Sequence, residues 1–194
     1  MNFLANVSRS DIEDTPVKFD LHYQIVLKKN HARSQEGHNA SLAQEFQGGS
    51  MVLARLCPSD YHRFHFPCDC LPGPTKLING WLYSVNPLAV KRNIHSLTQN
   101  KRTLCELRTP LFGRVLYMEI GATNVGSIQE TYTPNQWQTK GAEKGYFEFG
   151  GSALILLFAK NTIQFDSDLL AATENKLEIR CLLGQSMGKS SFKA

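Results

Sequence analysis

Several features are missing from this 194-residue chain, and each absence removes a class of protein. No apolar run approaches the roughly 20 residues that a helix needs to cross a bilayer. The opening Met1-Asn-Phe-Leu-Ala-Asn6 is too short and uncharged to read as a secretory signal. Five cysteines (Cys57, Cys68, Cys70, Cys105 and Cys181) make an odd number without a framework spacing. That speaks against a disulfide-stapled secreted domain and for a reducing compartment. The Asn-x-Ser triplets at Asn6 and Asn39 are then chance matches to a glycosylation pattern. No internal repeat is present. A composition of 42% hydrophobic and 20% charged residues excludes collagen, coiled coil and wholesale disorder. The net charge of +4 suits an anionic membrane surface or a nucleic acid and selects neither.

What is present is punctuation. Residues 1–47 are poorly patterned, with a turn at Asp11–Pro16, a strand within Val17–Lys28 and a polar loop to Asn39. Ser41–Phe46 reads as a capped helical turn ended by Gly48-Gly49. From 48 to 194 short apolar runs alternate with Gly, Pro and Asn. Strands are predicted at Met51–Cys57, Gly80–Val85, Gly113–Gly121, Val125–Thr131, Gly145–Phe149, Ala153–Ala159 and Leu177–Leu183. The second and third of the glycine-bounded runs, 113–121 and 125–131, read as a strand pair around Ala122–Asn124. The fold class is mainly β: a single-domain barrel-like or sandwich fold of short strands with minor helix, the last helix over Asp166–Asn175.

Three constellations can carry chemistry. In Asp60-Tyr-His-Arg-Phe-His65 an extended chain points His62 and Phe64 one way and Arg63 and His65 the other. One helical turn would instead put His62 and His65 on a shared face. Satisfied surface histidines are the bland reading. His62-x-x-His65-x-x-Cys68-x-Cys70 contains zinc-ligating residue types, but the spacing is unorthodox, and no metal is assigned. Gly150-Gly151-Ser152 interrupts two apolar runs. Glycines permit a strained turn, and a serine is a nucleophile only with a base nearby. Taken alone, a bulge or hairpin turn explains it. It is not the G-x-S-x-G elbow, because Leu154 replaces the second glycine. Lys91-Arg92, His95 and Lys101-Arg102 form a basic, turn-rich stretch, either a solvated face or a contact for an anionic headgroup.

Four blocks in order bring these pieces together: Arg55–Pro67, Leu82–Ala89, Val115–Ile128 and Lys144–Ser152. Together they resemble the motifs of the phosphatidylserine decarboxylases, over roughly Gly48 to Gly188. The resemblance implies a pyruvoyl-dependent carboxy-lyase that cuts itself between Gly151 and Ser152, into a larger chain 1–151 and a smaller chain 152–194. Ser152 becomes the covalent pyruvoyl cofactor, and Gly151 is its cleavage partner. The pyruvoyl forms a Schiff base with phosphatidylserine, releases carbon dioxide and yields phosphatidylethanolamine. His65 is implied as the base of self-cleavage and His62 as proton donor or substrate-positioning group. Implied partners are phosphatidylserine in a membrane, the two cleaved chains with each other, and a second copy in a homodimer, with no nucleic acid. The expected location is peripheral on a membrane, on the cytoplasmic side if bacterial.

Two departures from the family pattern stand out. The relay aspartate of the family has no matching loop upstream of the histidines, and Asp11, Asp14 and Asp20 lie in the wrong context. The chain starts as though just after that segment. Ala153 stands where the family usually has Ser or Thr. The alternative function is therefore a truncated, processing-deficient member that only binds lipid or a partner.

Overall fold

Seven successive residues, Ser152 to Phe158, are all buried. A strand with no exposed side must lie inside a sheet that is covered on both faces. The computed structural model describes residues 4–8, 42, 44–58, 60–93, 95–123, 127–148, 151–175 and 177–192. Among them run the strands β1 (Leu4–Ser8), β2 (Ser50–Leu56), β3 (Arg63–His65), β4 (Leu71–Pro72), β5 (Lys76–Ile78), β6 (Arg102–Thr109) and β7 (Gly113–Ile120). They continue with β8 (Ser127–Glu130), β9 (Glu143–Glu148), β10 (Ser152–Phe158), β11 (Ile163–Phe165), β12 (Ile179–Leu182) and β13 (Gly188–Ser190). The helices are α1 (Pro87–Arg92), α2 (His95–Gln99) and α3 (Ser167–Glu174).

The large sheet has the order β12-β1-β2-β10-β7-β6-β4, with β5 also paired to β6. Its pairings are antiparallel throughout. A three-stranded sheet, β3-β9-β8, and a two-stranded one, β11-β13, are separate from it. Alternation along the strands gives each face its own core. Val52, Ala54, Leu56, Tyr117, Leu154 and Leu156 pack with Phe64, Phe66 and Phe147 of the small-sheet side. Leu53, Leu116, Ile120, Ala153, Ile155 and Leu157 pack with Leu42, Phe46, Val85, Val90 and Leu97 on the helical side. Both layers bury apolar area, and that requirement produces the hydrocarbon run of β10.

The mainly-β expectation with minor helix matches this architecture, and its sheets are open. Three details differ. Gly80–Val85 forms no strand, apart from one isolated bridge at Trp81. Gly80 serves a close approach: a Cβ there would lie 2.1 Å from the Gln99 carbonyl oxygen. Asn86-Pro87 starts a helix rather than stopping a strand, since Asn86 Oδ1 accepts from Leu88 N at 3.0 Å and Pro87 sits at the first turn. Second, β7 and β8 exist but do not pair. Both edges of β7 are taken by β6 and β10, so β8 joins β9 in the other sheet. Third, Arg102 is no exposed turn residue but the buried start of β6. The expected strand in Val17–Lys28 and its flanking turn and loop lie outside the described residues. So do Asp11, Asp14 and Asp20.

Candidate functional site

The chain enters the site through a closed turn. Asp60 N donates to Cys57 O at 2.8 Å, and Cys57 N donates back to Asp60 Oδ2 at 2.8 Å. The following segment is extended, not helical. Phe64 is fully buried, whereas Arg63 faces out and donates to both Glu143 carboxylate oxygens at 2.7 Å. Gly145 lies opposite Phe64 in the ladder, and a Cβ there would sit 2.8 Å from the phenyl carbons. The register shifts between Phe64 and His65, so His65 pairs with Glu143 across a bulge. The bulge re-aims His65 relative to its neighbours.

Backbone carbonyls set both imidazoles. His62 Nδ1 lies 2.7 Å from Asp60 O, and His65 Nδ1 lies 2.9 Å from Gly141 O. A carbonyl only accepts, so each Nδ1 carries a hydrogen, and in the neutral ring each Nε2 holds the lone pair. His65 Nε2 receives the Tyr61 hydroxyl at 3.2 Å, with the two rings stacked at 5.8 Å. His62 Nε2 is buried and has no hydrogen-bond partner among the described residues. Its ring meets Phe147 edge-on at 6.5 Å. Tyr61 and the Gly141 carbonyl were not singled out in the sequence. Tyr61 sits four residues before His65, and the contact follows from the bulge between Phe64 and His65, which local patterning does not register.

Ser152 opens β10 opposite Leu56. Its side chain is fully buried, and its Oγ likewise has no hydrogen-bond partner. Alternation puts it on the face of Leu154 and Leu156, the face that packs against Phe64 and Phe147. His62, His65 and Ser152 thus belong to one side of the large sheet. The structure does not join Ser152 Oγ to either imidazole. The strained turn expected at the glycines is not seen at Gly151, which has no left-handed backbone; Gly150 lies outside the described residues. A Cβ at Gly151 would make only ordinary contacts, 3.5 Å to Leu56 O. Packing therefore does not demand a glycine at 151. Ala153 faces the opposite core and withdraws no side-chain hydrogen bond from Ser152.

An apolar cavity of about 410 Å³ borders the site. Its floor is Val52, Ala54, Leu154 and Leu156, its rim includes His65, Gly141 and Lys140, and the 181–187 segment closes one side. Beneath Phe64 lies a cluster that sequence reasoning missed. Lys144 Nζ stands 2.8 Å from Glu119 Oε1 and 2.8 Å from Glu130 Oε2. Phe64, Tyr117 and Tyr132 rings surround the ammonium at 5.1–5.5 Å. The Thr103 hydroxyl donates to Glu119 Oε2. Burial, and then the Glu119 charge, push the Glu130 carboxyl up to about 7. Burial alone would lower the Lys144 ammonium, but Glu119 and Glu130 outweigh it and raise it. Cys68 and Cys70 are thiols pushed up by burial, to about 11 and about 12. Among the described residues no three His, Cys, Asp or Glu side chains converge as metal ligands.

The family described as phosphatidylserine decarboxylase matches residues 16–189. The phosphatidylserine decarboxylase proenzyme of Chlamydia felis is 53% identical over 166 residues, covering 86% of this chain and 56% of the relative. That of Chlamydia caviae is 54% identical over 166 residues, with the same 86% and 56% coverage. That of Chlamydia pneumoniae is 58% identical over 149 residues, covering 77% of this chain and 50% of the relative. The chain spans about half the length of the curated relatives it matches.

Proposed function

The chain belongs to the phosphatidylserine decarboxylase family, and from that premise we propose that it is a self-processing decarboxylase of phosphatidylserine. Cleavage falls between Gly151 and Ser152, and the product is phosphatidylethanolamine with carbon dioxide. The observation that carries this reading is Ser152 Oγ, buried and without a hydrogen-bond partner among the described residues. Leaving such a buried hydroxyl unpaired costs about 1–3 kcal/mol.

The residues fit the origin of a pyruvoyl group. Ser152 Oγ attacks the Gly151 carbonyl carbon, the C–N bond breaks, and the acyl group moves from nitrogen to oxygen. His65 Nε2 takes the hydroxyl proton once it gives up the Tyr61 hydroxyl. Loss of the Ser152 α-proton then expels the Gly151 carboxylate and leaves dehydroalanine. Its imine tautomer takes up water and releases ammonia. The pyruvoyl group so formed supplies an electron-withdrawing carbonyl for decarboxylation. His62 Nε2, which holds its lone pair toward the same face, first takes up a proton and then serves as the proton donor or as a substrate-positioning group. The cut chains stay together, because β10 is paired along both edges, to β2 and to β7.

The cavity supports a lipid substrate and peripheral membrane association. Its apolar floor suits acyl or glycerol carbons, and Lys140 at its rim suits the phosphate. Mass analysis of the purified chain tests the reading. Two fragments are expected, the smaller one with a blocked amino end that reacts with phenylhydrazine. A single chain of 21.8 kDa with Ser152 intact overturns it. That outcome favours the processing-deficient binding module, whose supporting observation is that neither imidazole touches Ser152 Oγ.

A further inference from the structure

Twelve large hydrophobic side chains are well exposed among the described residues, and five of them fall between residues 77 and 88. They are Leu77 at 53%, Trp81 at 65%, Leu82 at 39%, Tyr83 at 43% and Leu88 at 73% exposure. The Trp81 and Tyr83 rings lie side by side, 6.0 Å apart. Scattered exposed apolar residues need no explanation, but five within twelve residues, two of them neighbouring rings, do.

This group is also held in place. Asn100, fully buried, accepts from Tyr83 N at 2.8 Å and donates to Tyr83 O at 2.7 Å and Gly121 O at 2.8 Å. Trp81 N donates to Gln99 O at 2.9 Å, Lys101 N donates to Trp81 O at 2.8 Å, and Thr123 Oγ1 donates to Leu82 O at 3.1 Å. The backbone is clamped while the rings point outward. A loop that merely failed to pack would not be anchored from both sides.

Charge identifies what the group meets. From Leu71 to Cys105 the chain has no Asp or Glu, but it carries Lys76, Lys91, Arg92, Lys101 and Arg102. Arg102 is buried, and Arg92 is exposed at the end of α1. Exposed Trp, Tyr and Leu within a purely basic stretch match an interface of apolar lipid carbons beneath anionic headgroups.

Position links this surface to the reacting serine. One row of the large sheet runs Ala153–Ile120–Arg102–Ile78 across β10, β7, β6 and β5. Three strand spacings make that row about 15 Å long. Ser152 lies just beyond one end of the row, and the Asn79–Tyr83 segment leaves from the other. Both stand at the same end of the sheet.

We propose that Leu77, Trp81, Leu82, Tyr83 and Leu88 form the surface that docks this chain on an anionic bilayer and presents the Ser152 end of the sheet to the headgroups. The inference rests on the decarboxylase reading for its purpose but not for its test. Vesicles of phosphatidylcholine with roughly one-third phosphatidylglycerol, which is anionic but not a substrate, separate docking from catalysis. The full chain is expected to sediment with them, and more weakly in high salt. The double variant Trp81→Ser with Leu88→Ser, both exposed, is expected to bind about tenfold or more weakly. Arg92→Glu loses severalfold, and Trp137→Ser, exposed on another segment, loses nothing. In a Trp137→Phe background, Trp81 fluorescence shifts to the blue on vesicles. Equal binding by wild type and the double variant, with Trp81 fluorescence unmoved, overturns the proposal. So does a wild-type dimer that the double variant makes monomeric, which would assign the face to a second copy. Self-cleavage is measured on the same proteins without vesicles. If none is cut, the decarboxylase reading falls while the vesicle result still decides the surface.

Discussion

Lys144 and Ser152 are eight residues apart, both fully buried, both polar, and the fold treats them in opposite ways. Around Lys144 the protein has assembled two carboxylates, a threonine hydroxyl and three aromatic faces. Of that cluster's carboxylate oxygens, Glu130 Oε1 alone has neither an ion-pair nor a hydrogen-bond partner. Ser152 lies opposite Leu56 in the sheet, and among the described residues nothing bonds to its hydroxyl. A buried charge without partners would unfold the domain, whereas a buried neutral hydroxyl costs only a little. A protein can therefore keep an unsatisfied serine and cannot keep an unsatisfied lysine. The first kind of group is available for chemistry, and the second is spent on architecture.

Substitutions at the two positions should split accordingly. Ser152→Ala is expected to abolish cleavage entirely and to leave stability unchanged, or raise it by up to about 1–3 kcal/mol as the unpartnered hydroxyl goes. Intact mass and urea denaturation check the two halves. A large loss of stability would mean that the hydroxyl has a structural partner after all. Lys144→Met is expected to do the reverse. It strands Glu119 beneath Phe64 and costs about 3–5 kcal/mol. The fraction that still folds should continue to cut itself, because the ion pairs of Lys144 run to Glu119 and Glu130. Urea midpoints, with cleavage scored on folded protein only, check it.

The two regions also differed in how far they could be read from sequence. Ser152 was legible because its neighbours are pure hydrocarbon and because ordered blocks around it carry a family resemblance. The histidine pair was legible for the same reason, and the mainly-β class followed from Gly, Pro and Asn punctuation. Lys144 was not legible. In Gly-Ala-Glu-Lys-Gly-Tyr it looks like a solvated charge, and it is neutralised only by Glu119 on β7 and Glu130 on β8. Those partners meet because β8 leaves β7 for another sheet, and the sequence suggested a hairpin instead. The edges of a strand are claimed by distant strands, which local patterning does not register. The orientation of His65 escaped for a related reason. An aspartate was sought, and a backbone carbonyl, which has no letter in the sequence, occupies Nδ1.

A smaller effect separates the charged cluster's two carboxylates. The folded Glu130 carboxyl keeps its proton to about pH 7, against 4.5 for the ordinary group. Between those values the folded state binds more protons than the unfolded one, so this contribution to stability falls as pH rises from 4.5 to about 7. It levels off above that. The shift corresponds to at most about 3 kcal/mol, trimmed because the side chain is 21% exposed. Glu130→Gln removes the titration. The difference in urea stability between wild type and Glu130→Gln should therefore change across pH 5 to 8 in that direction. A difference that is flat with pH would show that Glu130 is ionised throughout, and that Lys144 is satisfied by both charges at once.

The smallest expected effect concerns the two imidazoles, which differ at Nε2. That of His62 has no partner, and that of His65 accepts from the Tyr61 hydroxyl at 3.2 Å. The Tyr61 hydroxyl and the Ser152 hydroxyl compete for one lone pair, since an imidazole nitrogen accepts a single hydrogen. Tyr61→Phe keeps the stacked ring and removes the competitor. A neutral hydrogen bond is worth about 0.5–1.5 kcal/mol net, so self-cleavage should run roughly two- to tenfold faster. A time course of cell-free synthesis followed by gel analysis measures that. The Nδ1–H tautomer, read from imidazole nitrogen shifts, should persist in the variant, because the Gly141 carbonyl still holds it. Slower cleavage with the tautomer intact would assign the Tyr61 hydroxyl a different part, that of carrying the proton between Ser152 and His65. The two histidines would then differ in whether a proton must pass through a neighbour to reach them.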